Sequence, residues 1–292
     1  MRNKKRLQMG ILAAIVALTG CSTSSTEKSE EDQSKRVVAT STAVVDIMDE
    51  LEIELVGIPS TKKEIPVRYN GVTEVGNAMS PDLEIIKSLN PDEVYSVTTL
   101  ESDLSESFSN AGIKANFLNL QSIDSMLAEI QSLGEKYERK QQADELVGKI
   151  NQQLQAIAEQ VKGYESPRVL ILFGVPGSYL VATENSYIGN LVEICGGVNA
   201  IEGQSVEYLA SNTEYLQQSN PDVILRMAHG MPEEVIKMFN EEFKTNDIWQ
   251  HFDAVKNGRV YDLDESLFAS TANLQVCDAL NELMDMFYGE GE

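Results

Sequence analysis

Two side chains in this sequence combine a ligating chemistry with a placement suited to gripping a ligand. His229 stands in Leu225-Arg226-Met227-Ala228-His229-Gly230-Met231-Pro232, where a strand-like run ends and Pro232 opens the first turn of a helix. Met79, in Glu74-Val75-Gly76-Asn77-Ala78-Met79-Ser80-Pro81, falls on a turn and off any apolar period. A lone methionine most often fills a core, and a lone histidine is ambiguous. Taken together, a soft and a borderline donor suit haem iron, for which Met/His axial ligation is a known arrangement. The other histidine, His251 in Trp249-Gln250-His251-Phe252, reads as a packed or surface residue. Two histidines and three cysteines are too few for a zinc site of several His or a disulfide framework, and no Cys-x-x-Cys-His attaches a c-type haem. No Gly-x-Ser-x-Gly, Gly-x-x-x-x-Gly-Lys or His-Glu-x-x-His occurs, so an enzyme is not expected.

Both candidate residues need α/β units to hold them. Val37-Val38-Ala39-Thr40 reads as a strand, a helix follows from about Ala43 to Leu51, and Leu55-Val56-Gly57-Ile58 reads as the next strand. The pattern restarts at the buried run Arg168 to Phe173, with a turn expected at Gly174 to Gly177. Such alternation predicts two Rossmann-like α/β lobes with central parallel sheets. Between them a helical segment from about Ser122 to Tyr164 carries Leu146, Val147, Ile150, Leu154, Ile157, Ala158 and Val161 on one stripe, with a break expected at Gly134. The favoured reading is a long rigid helix bridging both lobes; an ordinary core helix is the alternative. The boundaries expected are an N-terminal lobe over 36–134, a connecting helix over 135–164 and a C-terminal lobe over 165–292.

An internal echo agrees with two lobes. Ser80-Pro81-Asp82-Leu83-Glu84 leads to Asn90-Pro91-Asp92, and Ser211-Asn212-Thr213-Glu214 leads to Asn220-Pro221-Asp222, with five residues between Glu and Asn in both. Ser80 is the expected N-cap in the first copy, Ser211 or Thr213 in the second. A generic helix-to-strand turn explains the Asn-Pro-Asp part equally well.

The first 20 residues carry Arg2, Lys4, Lys5 and Arg6 followed by the apolar run Met9 to Leu18, which is the layout of a signal peptide and too short to span a bilayer. Leu18-Thr19-Gly20-Cys21 then matches the site cut in bacterial lipoproteins, so Cys21 is the expected lipidated residue and 21–35 a polar, flexible tether. The location that follows is the outer face of a cytoplasmic membrane, Gram-positive in kind. Of 292 residues 46 are acidic and 23 basic, a formal charge of −23 that excludes a generally basic nucleic-acid surface. Removing the four signal-peptide bases leaves 19 against 46, about −27 in side-chain charge.

Val175-Pro176-Gly177-Ser178-Tyr179-Leu180-Val181-Ala182-Thr183, Ser186-Tyr187-Ile188-Gly189, His229-Gly230-Met231-Pro232-Glu233-Glu234-Val235 and Asn246-Asp247-Ile248-Trp249 resemble the haem-binding lipoproteins of Gram-positive iron-regulated surface determinant systems. These belong to the helical-backbone class of ABC-importer substrate-binding proteins, and the resemblance covers nearly all of the chain after the tether. It implies one haem b in the interlobe cleft, with Met79 and His229 as axial ligands and the propionates near Thr42, Ala43, Thr61, Lys62 and Lys63. The family pattern has Tyr where Lys62 stands, which makes that contact ionic or absent. It also implies that Glu84 and Glu214 dock on a permease, one from each lobe, and that a monomer receives haem from cell-surface relay proteins. A siderophore or cobalamin carrier on the same fold and a haem-processing enzyme are the rival readings. Tyr179 lines the pocket or the core, and Cys195 and Cys277 read as small buried hydrophobes whose pairing stays open.

Overall fold

The computed structural model describes residues 35–289 except 213–215 and 217–218. The signal peptide, Cys21, all of the tether before Lys35, and Thr213 and Glu214 therefore lie outside the described residues. Among the described residues no helix is long and apolar enough to cross a membrane.

The first half begins with β1 (Val37–Ala39), whose three side chains are all buried, and α1 (Thr42–Glu50). Then come β2 (Leu55–Ile58), β3 (Thr73–Glu74), a short hairpin of β4 (Gly76–Asn77) and β5 (Ser80–Pro81), and α2 (Leu83–Ser88). The half closes with β6 (Glu93–Val97), α3 (Glu101–Asn110) and β7 (Ala115–Leu118). Strand order is β3-β2-β1-β6-β7, and every neighbouring pair is parallel. A parallel sheet covered on both faces needs apolar side chains up and down, which is why β1 reads as a continuous rather than an alternating run.

Two helices follow, α4 (Ile123–Lys136) and α5 (Lys140–Gln160). The break falls at Tyr137–Arg139, three residues after Gly134, where Glu138 takes a left-handed φ of 57°. Gly134 has a different role from the breaker expected of it: a Cβ there would overlap that of Ala143, so glycine lets the start of α5 lie close on α4. Twenty-one residues at about 1.5 Å each make α5 roughly 30 Å long. It buries Ala143, Ile150 and Ile157 at sevenfold spacing. Its first half reaches the N-lobe, with Gln142 donating to Glu52 at 3.0 Å, and its second half the C-lobe, with Gln153 donating to Asn281 at 2.7 Å.

The second half contains β8 (Arg168–Val175), β9 (Ser178–Ala182), α6 (Tyr187–Ile194), β10 (Val198–Asn199), β11 (Tyr208–Ala210), β12 (Val223–Ala228) and β13 (Val260–Leu263). Strands β8, β12 and β13 form a parallel centre, while β9 and β11 add antiparallel strands on one side. The β8 strand runs through Gly174 and the reversal is confined to Pro176-Gly177, with Gly177 at φ 86°. Position 174 takes a glycine because a Cβ there would overlap Val235 and Phe239 of the helix Pro232–Thr245. One apolar cluster runs from Val37 and Val45 through Ile150 to Ile171 and Leu283, joining the two lobes along the connecting helices. Separate clusters cover the opposite faces, around Val38, Ile86 and Phe108 in the N-lobe and around Leu172, Phe239 and Trp249 in the C-lobe.

The Asn-Pro-Asp echo is a structural repeat. Asp92 accepts the N–H of Arg36 at 2.8 Å just before β1, and Asp222 accepts the N–H of Arg168 at 2.7 Å at the start of β8. Each arginine also reaches the end of the helical segment that leads into the Asn-Pro-Asp turn, Arg36 to the Leu89 carbonyl at 2.7 Å and Arg168 to the Ser219 carbonyl at 3.0 Å. Asn90 and Asn220 both adopt positive φ, 45° and 32°, as asparagine tolerates at a helix end. The N-cap of α2, however, is Asp82, which accepts the amides of Glu84 and Ile85 at 3.0 Å each; Ser80 and Pro81 are taken up by the β4-β5 hairpin.

Candidate functional site

A cleft of about 780 Å³ opens between the lobes, within the range of roughly 300–1,000 Å³ usual for small-molecule sites. Its walls are loops that follow the carboxyl ends of parallel strands: Ser41 to Asp46 after β1, Pro59 to Glu64 after β2, Val97 to Leu100 after β6, His229 after β12, and the segment from Glu265 after β13. Ligands of open α/β sheets bind at this edge because helix N-termini and free loop amides gather there.

His229 and Met79 line this cleft from opposite lobes. The His229 amide donates to the Gly174 carbonyl at 2.9 Å, which extends the β12-β8 ladder by one residue and fixes the backbone beneath the ring. The imidazole lies on Phe173, centroids 5.3 Å apart at 27°, and Phe173 in turn meets Tyr208 at 4.7 Å. Gly230 and Met231 then turn the chain at positive φ of 66° and 50° into the helix that Pro232 opens. The non-glycine position costs about 1 kcal/mol or more, and the Gly230 amide is held by Glu265 at 3.2 Å.

Met79 sits in the tip of the β4-β5 hairpin, where the Asn77 carboxamide oxygen accepts the amides of Met79 and Ser80, both at 3.0 Å. This Asx turn and Gly76 at φ 89° present the side chain away from the core. At 67% exposure Met79 is no core filler.

Polar groups converge on one part of the cleft. Ser41 caps α1, its hydroxyl 3.5 Å from the Val44 amide, and Thr42 and Ala43 form the first turn on the cleft wall. Helix amides there have no intrahelical acceptor and carry the positive end of the macrodipole, a suitable surface for carboxylates. Thr61 accepts the Lys63 amide at 3.1 Å, and both residues line the cleft. Lys62 is exposed and does not line it. The cleft also contains Asp46, one turn along α1, whose pKa burial raises to about 6; Lys63 opposes that rise, while Asp49 and Glu50 add to it. Asp264 is held low mainly by its bonds from Ser266, with Lys63 as a lesser cause.

Glu84 is outside the cleft, exposed on α2 and 3.4 Å from Lys87. His251 is exposed elsewhere, its carbonyl accepting from Lys256 at 2.8 Å. Tyr179 belongs to the C-lobe core, packed on Phe239 and Trp249 with its hydroxyl 3.3 Å from Glu242. Cys195 and Cys277 are both free; burial pushes the Cys195 thiol up to about 12.

Asp46, Glu265 and the wall from Ser266 to Gln275 had no signal in the sequence. The only hint is the run of small residues Ala269-Ser270-Thr271-Ala272, which lacks both helical and strand periods.

A family model described as periplasmic binding protein matches residues 37–267. The chain is 45% identical over 279 residues to the high-affinity heme uptake system protein IsdE of Staphylococcus aureus (strain bovine RF122 / ET3-1), covering 95% of this chain and 96% of that one. Among solved structures it is similar to an ABC transporter substrate-binding protein from Listeria monocytogenes EGD-e, with 55% identity, a TM-score of 0.85, and coverage of 88% of this chain and 100% of that one. It is also similar to S. aureus IsdE complexed with heme, with 46% identity, a TM-score of 0.84, and coverage of 87% and 99%.

Proposed function

Because this chain belongs to the periplasmic binding protein family, we propose that it captures haem in the cleft between its lobes and delivers it intact to an ABC permease. The observation that carries this reading is that Met79 and His229, far apart in sequence and borne by different lobes, line one cavity of ligand size. Among the described residues no group of three or more His, Cys, Asp or Glu comes together as a chelating cage. An iron that arrives with four porphyrin nitrogens needs only two further donors, and an imidazole and a thioether supply that pair. The relative named for high-affinity heme uptake, and its structure complexed with heme, support the same ligand.

In this arrangement one haem b lies across the cleft with its iron between Met79 and His229. Its propionates turn toward the first turn of α1 at Thr42 and Ala43 and toward Thr61 and Lys63; Lys62, outside the cleft wall, contributes long-range charge only. The Phe173 stack and the Gly174 bond hold the imidazole, so that side of the site is ready before the ligand arrives. Lipid on Cys21 keeps the monomer on the outer face of the cytoplasmic membrane, where cell-surface haem-relay proteins load it. Glu84 and Glu214, at matching places in the internal repeat, dock the two lobes on the permease.

Absorbance titration of the purified chain with haem tests the reading. A Soret band saturating near one haem per chain is expected, weakened most in His229→Ala and partly in Met79→Ala. Haem binding unchanged in both variants would remove the axial assignment. Recovery of iron or biliverdin in place of intact haem would favour an enzyme.

A further inference from the structure

Asp46 is an unusual group to find in a cleft meant for a dianionic ligand. It lies one turn along α1 from Thr42 and Ala43 and lines the same cavity, and its carboxylate takes no hydrogen bond from the described residues. An ionised carboxylate there would oppose the propionates, whereas the neutral acid has an O–H to donate to them. The charged groups around it divide by element. On α1 itself Asp49 and Glu50 discourage ionisation, and Asp49 is partly neutralised by Arg68 at 2.9 Å. From the loop after β2, Lys63 favours ionisation and Glu64 lines the same cavity; Tyr69 lies close enough to sense Asp46, while His229 and Glu265 face the cavity from the C-lobe.

We propose that Asp46 recognises one haem propionate as a neutral carboxylic acid, donating its proton in an acid-to-carboxylate hydrogen bond while Lys63 compensates the propionate charge. Binding is then coupled to uptake of one proton from solvent where Asp46 is ionised in the unloaded cleft: the proton forms the O–H bond of the Asp46 acid, and no other covalent bond is made or broken. The burial that raises its pKa to about 6 in the unloaded cleft brings this within reach near neutral pH, and the neighbouring propionate raises it further. The inference rests on the haem reading above and adds to it a group that selects the protonated, carboxylate-bearing form of the complex.

The test is haem affinity of the full chain between pH 5.5 and 8, measured by Soret titration for the parent, Asp46→Asn and Asp46→Ala, with haem dimethyl ester as a second ligand. Titration of every group other than Asp46, the free propionates included, is common to all three proteins, so the ratio of variant to parent isolates Asp46. Relative to Asp46→Asn, whose carboxamide donates at every pH, the parent is expected to lose affinity above pH 6, by up to about tenfold per pH unit while Asp46 is ionised only in the unloaded protein. Asp46→Ala should show the same change in pH profile as Asp46→Asn but bind more weakly, and the dimethyl ester should erase the difference between parent and Asp46→Asn. A parent profile parallel to that of Asp46→Asn overturns the proposal while leaving haem binding intact. Failure of all three proteins to bind haem overturns the underlying reading as well.

Discussion

At the residue scale the two proposed donors are held by opposite means. His229 is restrained from below by the Gly174 bond and from the side by Phe173, whereas Met79 hangs from a hairpin fixed only by the Asn77 Asx turn. Asn77→Ala should therefore loosen the methionine and lower haem affinity without unfolding the N-lobe, a result readable by titration alongside a thermal melt. Asp46 gives a second expectation, in the unloaded protein. Its folded pKa of about 6 is above the ordinary 3.8, so between those values the folded chain binds more protons than the unfolded one. Stability from this group is thus present at low pH and lost as pH rises through about 6. Asp46→Asn should raise the melting temperature at pH 7.5 more than at pH 4. A gain equal at both would show that burial does not set this group's titration.

At the scale of elements the fold is pinned by local bonds. The Arg36-Asp92 and Arg168-Asp222 anchors tie the start of a central strand to the end of a helical segment some fifty residues further along the chain in each lobe. Asp222→Ala leaves the Arg168 amide without its carboxylate acceptor, while the guanidinium keeps the Ser219 and Ala200 carbonyls, and should cost about 1–3 kcal/mol in urea unfolding. Gly134→Ala offers a sharper contrast. On helix propensity alone it would stabilise α4 by about 1 kcal/mol, but the added methyl overlaps Ala143 across the α4-α5 contact. Overpacking there outweighs propensity, and a net loss of about 1–3 kcal/mol is expected.

At the scale of the whole molecule, one apolar cluster extends through both lobes along the connecting helices. A hinge would have to pull α5 off one lobe and expose part of that surface, so small adjustment of the cleft loops is the expected response to loading. Hydrogen exchange with and without haem checks this: protection should change in the loops around Thr42, Met79 and His229 and stay level along Lys140–Gln160. Docking also belongs to this scale. Glu84→Ala combined with Glu214→Ala should leave the Soret titration intact and reduce haem uptake by cells; impaired titration with normal uptake would contradict the assignment.

Much of this molecule was legible in its sequence. Apolar runs marked β1, β2 and most of β8, and the run ending before His229 marked β12, because strands buried on both faces tolerate few polar residues. The scarcity of histidine and the turn position of Met79 pointed to two residues that line the cleft, since side chains free to meet a ligand stand outside the apolar periods that fill a core. What the sequence left open depended on distance. The Ser80 cap gave way to Asp82 because Ser80 was needed in a hairpin, and Gly134 served packing instead of breaking the helix. Asp46 reads in sequence as an ordinary acid on a helix, and Glu265 as one of many surface carboxylates. Only the tertiary structure brings both to the cleft and raises the pKa of Asp46, because burial and the field of neighbouring charges arise between elements that the chain order keeps far apart.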